Sequence, residues 1–263
     1  MEQENGGNFF NKLTDSGKDL LNRGLKLVGT VTGTYLGTRT NEPGAIIIGA
    51  AIGDALAQSI NDFAERVLSE KEKTNISIAE AFSIAKIIQN QETKGKVNEK
   101  YFDEKTSGNA YELYLGVLNT AKNNYEDKKL EFIGNFYGNI IFVADIEPQL
   151  SHFLLSIIKG LNYKQMCILS IIGQPDKYLK DLTSPEELSK RENWHQTYII
   201  QNELANMMLS GLLIPHNDAL LTYVGKRHLD KCRLSAVGQL IFTIADLDKV
   251  DENDMLDLIK YFK

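Results

Sequence analysis

ISIAEAFSIAKIIQ, residues 76–89, is the stretch that decides the fold. Apolar side chains fall on almost every side of it, and Glu80 and Lys86 are its only charges. A run that apolar at helical length has no wet face, so it predicts a core helix from Ile76 to about Gln91. The fold around it is therefore mainly α.

Downstream, ETKGKVNEKYFDEKTSGNA (92–110) is polar and broken by glycine, which predicts a loop or boundary. A second helix is expected over 110–125 through Tyr111, Leu115, Leu118 and Tyr125, a third over 126–144, and a fourth from Ile146 to Leu161. Glu147 and Pro148 suit the first turn of that fourth helix. Together these predict a helical bundle over 76–161. Inside the third helix Gly134 and Gly138 are one turn apart and flanked by Asn135 and Asn139. The asparagines are expected to hydrogen-bond across a helix interface or to cap a neighbouring helix.

The last third, 162–263, has another rhythm. YKQMCILSII (163–172) is a helix, 173–182 a connector, and Ser184-Pro185-Glu186-Glu187 a helix start with a capping box. WHQTYIIQNELANMMLSG (194–211) is a longer helix ended by Gly211, and Leu212–Ile214 reads as a short strand. Residues 215–233 are turn-rich, and Leu234-Ser235-x-x-Gly238-x-x-Ile241 opens a further helix capped by Ser235. The tail KVDENDMLDLIKYF closes with a helix capped near Asp251. Helix, helix, helix, strand, wing, strand, helix is the order of a winged helix.

Upstream, 1–75 reads as an amphipathic helix followed by a glycine-rich apolar hairpin. Phe9, Phe10, Leu13, Gly17, Leu20, Leu21, Gly24, Leu25 and Val28 recur in steps of three and four. Lys12, Lys18, Arg23 and Lys26 lie mostly off that stripe, beside Asp15 and Asp19, and would favour anionic lipid. Then come LVGTVTGTYLGT (27–38) and PGAIIIGAAIG (43–53), joined at the turn-like RTNEPG. Glycine costs roughly 1 kcal/mol per site in a helix. Gly29, Gly33 and Gly37, then Gly49 and Gly53, stand four residues apart, which suits close backbone approach. Ile46, Ile47, Ile48 and Ile52 give the second segment its apolar surface. Each segment would span ~17–18 Å as a helix, against ~30 Å of hydrocarbon. Arg39, Glu42 and Asp54 are expensive in lipid. Membrane contact after exposure and close packing in an oligomer both remain open.

Composition narrows the chemistry. Apolar residues make up 43% and charged residues 24%, which is ordinary globular usage, and the net charge of −6 is no footprint for a polyanion. Cys167 and Cys232 fit no disulfide framework, and the acidic first ten residues do not read as a signal peptide, so a cytoplasmic setting is expected. His152, His195, His216 and His228 lack ligand spacing; His228-x-x-x-Cys232 is a lone weak pair. The acidic run Asp246, Asp248, Asp251, Glu252, Asp254 and Asp257 fails the calcium-loop template at Val250 and Asp251, and reads as a solvated turn and helix start. Walker, nucleophile-elbow and Rossmann patterns do not occur. No enzyme, cofactor, metal or small-molecule substrate is expected. The 194–211 helix carries no Lys or Arg, so nucleic acid is not expected on it; the wing cations Lys226, Arg227, Lys231 and Arg233 are the residues that could touch DNA.

NAYELYLGVLNTAKNNYEDKKLEFIGNFYGNIIF (109–142) followed by HFLLSIIKGLNYKQMCILSII (152–172) resembles bacterial proteins of the abortive-infection alpha type. Phe136, Asn139, Leu161, Tyr163 and Ile168-Leu169 occupy places similar to that family's helical-core pattern. The winged-helix-like end and the 92–110 loop depart from it. The resemblance implies an antiphage effector that damages or arrests the infected host cell. Here it would act at the inner membrane through the hairpin after release or oligomerisation, with itself and another defence protein as partners. It implies no catalytic residue. The alternatives are a soluble adaptor subunit of a defence complex and a winged-helix DNA-binding regulator.

Overall fold

The computed structural model describes residues 68–102, 108–180, 182–183, 187, 194–216 and 228–263. They are mainly helical with one small sheet, and the chain divides into two compact units, residues 1–160 and 161–263. The expected hairpin over 27–53 and the amphipathic helix over 8–28 lie outside the described residues.

In the first unit the core helix α1 spans Glu70–Lys94. It starts six residues before the expected Ile76, because Ser69 and Glu72 form a capping box: Glu72 N donates to Ser69 Oγ at 3.3 Å and Ser69 N to Glu72 Oε2 at 2.8 Å. A boundary at 75/76 therefore falls inside a helix. Gly95, at φ 80, ends α1. The expected loop 92–110 is only partly a loop. Val97 and Tyr101 are buried, Glu99–Tyr101 forms one 3₁₀ turn, and the Asn98 amide donates to the carbonyls of Val143 (2.9 Å) and Ile146 (3.0 Å). Tyr101 also bonds Ser151 through their hydroxyls.

Helix α2 spans Gly108–Lys122, α3 Leu130–Ile140 and α4 Pro148–Gly160. Helix α2 stops short of Tyr125, which is 78% exposed and no part of the core. Residues 126–129 form a turn with a 3₁₀ segment, so α3 begins at Leu130 instead of 126. Helix α4 opens on Pro148, whose missing N–H would have had no helical partner.

Helix α1 packs on α2 and most closely on α3, and every residue of α3 is buried. Glycine makes the α1–α3 contact possible. A Cβ on Gly134 would lie 2.4 Å from Ala79 O, and one on Gly138 2.5 Å from Lys86 Cβ and 2.9 Å from Ser83 O. Polar bonds then lock the two backbones. Ser83 Oγ reaches Ala79 O (2.8 Å) and Gly134 O (3.1 Å), and Asn90 Nδ2 donates to Gly138 O (2.7 Å) and Asn139 Oδ1 (2.9 Å). The expected cross-helix role of Asn139 is met.

In the second unit α5 spans Tyr163–Gly173 and is its buried centre; Met166–Ile172 are all buried. Asn162 and Gln165 form its capping box. The expected connector contains a four-residue helix, α6 (Pro175–Tyr178). Of the expected start at 184–187 only Glu187 is described, in a helix. Helix α7 spans Trp194–Leu209. Gly211, at φ 74, ends it: Leu212 N bonds Met207 O at 2.9 Å and Gly211 N bonds Met208 O at 3.0 Å, a Schellman pair.

Strands β1 (Leu213–Pro215) and β2 (Cys232–Leu234) pair antiparallel, with Leu213 opposite Leu234 and Pro215 opposite Cys232. Ser235 then caps α8 (Ala236–Ile244), accepting from Gly238 N at 3.0 Å. A Cβ on Gly238 would lie 2.1 Å from Leu212 O, so only glycine lets α8 start against the sheet. Helix α9 (Glu252–Ile259) is capped by Asp251 as expected. Tyr163 Oη to Asp254 (2.8 Å) and Ser170 Oγ to Met255 Sδ (3.0 Å) tie α5 to α9.

Candidate functional site

The outer face of α7 is the most unusual described surface. A sixteen-residue helix turns one side inward through Thr197, Ile200, Gln201, Leu204, Ala205 and Met207. On a solvated helix the other side carries charge. Here it carries Trp194 (54% exposed), Tyr198 (45%), Ile199 (42%) and Leu209 (84%), with the exposed or half-exposed Asn202 and Asn206 between them. At 100° per residue these six fall within one arc of about 140°. The Trp194 and Tyr198 rings meet edge to face at 6.2 Å. The helix's one ionisable acid, Glu203, points towards α5, where it accepts from Gln165 Nε2 at 2.8 Å. The arc therefore has no Lys, Arg, Asp or Glu on it. Such a face suits contact with protein and offers phosphate no cation.

The sequence-derived sites divide sharply by position. Gly29, Gly33, Gly37, Ile46, Ile47, Ile48, Gly49, Ile52 and Gly53 lie outside the described residues, as do Lys12, Lys18, Arg23, Lys26, Lys226 and Arg227. Two wing cations are described. Arg233 is exposed on β2 opposite Ile214. Lys231 Nζ sits 3.2 Å from Asp230 Oδ2, so its charge is already matched.

His228 is not on the wing surface. Its ring is buried against Phe262, edge to face at 5.2 Å, and Nδ1 lies 2.5 Å from Asp230 Oδ1. Burial alone would push the Asp230 carboxyl up, but the His228 hydrogen bond and the Lys231 ammonium hold it below the usual range. His228 Nε2 is buried without a hydrogen-bond partner among the described residues. Cys232 does not complete a ligand pair. Its thiol donates to the His228 backbone carbonyl at 3.3 Å, one turn below the ring. Among the described residues no group of three His, Cys, Asp or Glu could hold a metal ion.

The acidic run is absorbed by structure. Asp246 adopts φ 55 and pairs with Lys249 (2.7 Å), Asp251 caps α9, Asp254 accepts from Tyr163, and Asp257 pairs with Lys260 (2.8 Å).

Two further features of the first unit were not singled out from sequence. Lys129 is buried, its ammonium donating to the Lys159 carbonyl (3.0 Å) in the last turn of α4, where the helix dipole favours a cation. Burial lowers this lysine to about 8. The Tyr114 and Tyr137 rings pack at 4.7 Å, and the buried Tyr114 hydroxyl has no hydrogen-bond partner among the described residues. Nearby, burial pushes the Glu80 carboxyl up. Neither residue has a sequence signature, since both depend on what the bundle stacks around them. Among the described residues no helix is long and apolar enough to cross a membrane. Compared with family models, curated proteins and solved structures, the chain matches none.

Proposed function

We propose that this protein is a non-enzymatic effector of bacterial antiphage defence. Two helical units form its body, and the N-terminal glycine-spaced hairpin is its acting element. The hairpin is held by close packing until infection releases it towards the inner membrane. There Ile46, Ile47, Ile48 and Ile52 bury apolar surface, and Lys12, Lys18, Arg23 and Lys26 meet anionic lipid. The family-like pattern over 109–172 supports the defence setting.

One observation carries the packing half of this reading. At Gly134 and Gly138 the chain uses four-residue glycine spacing to bring two helix backbones into contact. Gly29, Gly33 and Gly37 repeat that spacing, as do Gly49 and Gly53. The sheltered hairpin is then a second use of the same device.

The second unit is read as a winged helix: α5, the helix that includes Glu187, α7, β1, β2 and α8 follow in that order. In that frame α7 takes the place of the recognition helix. Its neutral, aromatic outer face favours a module that contacts protein. The same face favours the adaptor alternative over a DNA-binding regulator.

Dye leakage from anionic vesicles tests the proposal. The full chain is expected to release dye, with release lost in Gly33→Leu and Ile47→Asp. Equal leakage by parent and both variants would remove the hairpin as the membrane element. A stable multimer that ignores lipid and dissociates on Gly33→Leu would favour the adaptor.

A further inference from the structure

We propose that the outer face of α7 binds a second copy of this chain, the two α7 helices crossing about a two-fold axis near Asn202. The inference rests on reading α7 as a protein-contact face, and it names the partner.

Self-complementarity is the first argument. A two-fold pair lays one patch against an identical patch, so a patch of one charge repels itself. This chain carries a net −6, yet the exposed arc of α7 has no Lys, Arg, Asp or Glu on it, and His195 is its one titratable side chain. Fixed charge therefore does not set this face against its own copy. Size is the second argument. The exposed parts of Trp194, Tyr198, Ile199 and Leu209 come to roughly 500 Å², within the ~300–600 Å² of the largest patch on a monomer, a size that is often functional. Two such faces hide about 1,000 Å², and the half-exposed Asn202 and exposed Asn206 add to this towards the ~1,200–2,000 Å² of a stable pair. Composition is the third. Trp and Tyr are the side chains that anchor interfaces, and here their rings already meet edge to face at 6.2 Å. Leu209 lies near the other end of the helix, so an antiparallel crossing sets Leu209 of one copy near the aromatic pair of the next. Asn202 lies close to the middle of Trp194–Leu209 and opposes its own copy, where amide can bond amide.

The test uses the full-length chain. Sedimentation is expected to give a dimer at micromolar concentration. Tyr198→Asp and Leu209→Asp are each expected to weaken the dimer at least tenfold with helical content and urea midpoint unchanged, and Tyr198→Phe to keep it. Asn202→Cys is expected to form a reducible disulfide-linked dimer at least tenfold faster than Tyr125→Cys, an exposed control in the first unit. The native Cys167 and Cys232 are buried and should not compete. This crosslink reads the pairing even if an aspartate variant fails to fold.

A monomeric parent, a dimer mass that survives both aspartates, or equal crosslinking at 202 and 125 would each overturn the pairing. Failure of the pairing leaves the contact-face reading separable. That reading also fails if Tyr198→Asp retains full phage protection, or if alanine at Lys226, Arg227, Lys231 and Arg233 abolishes a steeply salt-dependent nucleic-acid binding.

Discussion

A methyl group at position 134 or 138 has nowhere to go. Backbone oxygens of Ala79 and Ser83 and side-chain carbons of Phe82 and Lys86 stand 2.4–2.9 Å from where it would lie. Gly134→Ala and Gly138→Ala are each expected to destabilise the first unit by about 1–3 kcal/mol, because overpacking outweighs the gain in helix propensity. Gly160→Ala is the contrast: nothing lies within 4 Å of its Cβ, so it should be neutral or stabilise by up to about 1 kcal/mol. Urea unfolding of the three variants checks the order. Lys129 gives a prediction of opposite character. Its folded value is lowered to about 8 against an ordinary 10.5, so below pH 8 both states are charged and the burial cost is fully present. Between about 8 and 10.5 the unfolded chain holds more protons, and stability rises with pH. Tyr101, Tyr114 and Tyr137 oppose this. Burial raises all three, so above about pH 10 the unfolded chain loses protons that the folded one keeps, and stability falls. Stability of this unit is expected to rise between about pH 8 and 10 and to fall above that, with Lys129→Met flattening the rise. A profile unchanged by Lys129→Met would remove the lysine as its cause.

At the scale of elements, strong periodicity carried the reading and boundaries escaped it. Helix α5 was legible nearly to the residue, from Tyr163 to Ile172 against Gly173, since its run Met166–Ile172 is apolar but for Ser170; the Asn162–Gln165 capping box that starts it went unread. The Ser235 cap and the Asp251 cap were legible. The start of α1 was written in Ser69 and Glu72, but a polar first turn hid it from an apolar count. Tyr125 fitted the stripe of α2 and yet lies past its end, because 126–129 turn the chain before α3. Val97 and Tyr101 were invisible in a polar stretch whose order comes from Asn98 bonding the Val143 and Ile146 carbonyls in the turn after α3. Helix α7 shows the limit most clearly. Ile199, Ile200 and Leu204 look alike in sequence, and only packing within the second unit, on β1 and α5, decides which face stays wet. At this scale Gly238→Ala tests the fold. Its Cβ would press on Leu212 O at 2.1 Å, so it should loosen α8 from the sheet and cost at least about 2 kcal/mol, read as lost amide protection in β1 and β2.

For the molecule as a whole, the candidate site from sequence and the candidate site from structure are different places. The sequence pointed to the glycine hairpin and wing cations through spacing and charge. The structure adds the α7 face, whose exposure depends on how the second unit folds around α5. In the proposed account the α7 face would gather copies and the hairpin would act. Alanine at Lys226, Arg227, Lys231 and Arg233 is accordingly expected to leave phage protection intact, measured as plaque counts.

The central claim is tested most directly by membrane potential in single bacterial cells expressing this chain, followed through phage infection. The account predicts that uninfected cells stay polarised and infected cells depolarise before phage are released. It also predicts that Gly33→Leu and Ile47→Asp abolish that loss. Infected cells that keep their potential and yield normal numbers of phage, or depolarisation that survives both variants, would contradict it.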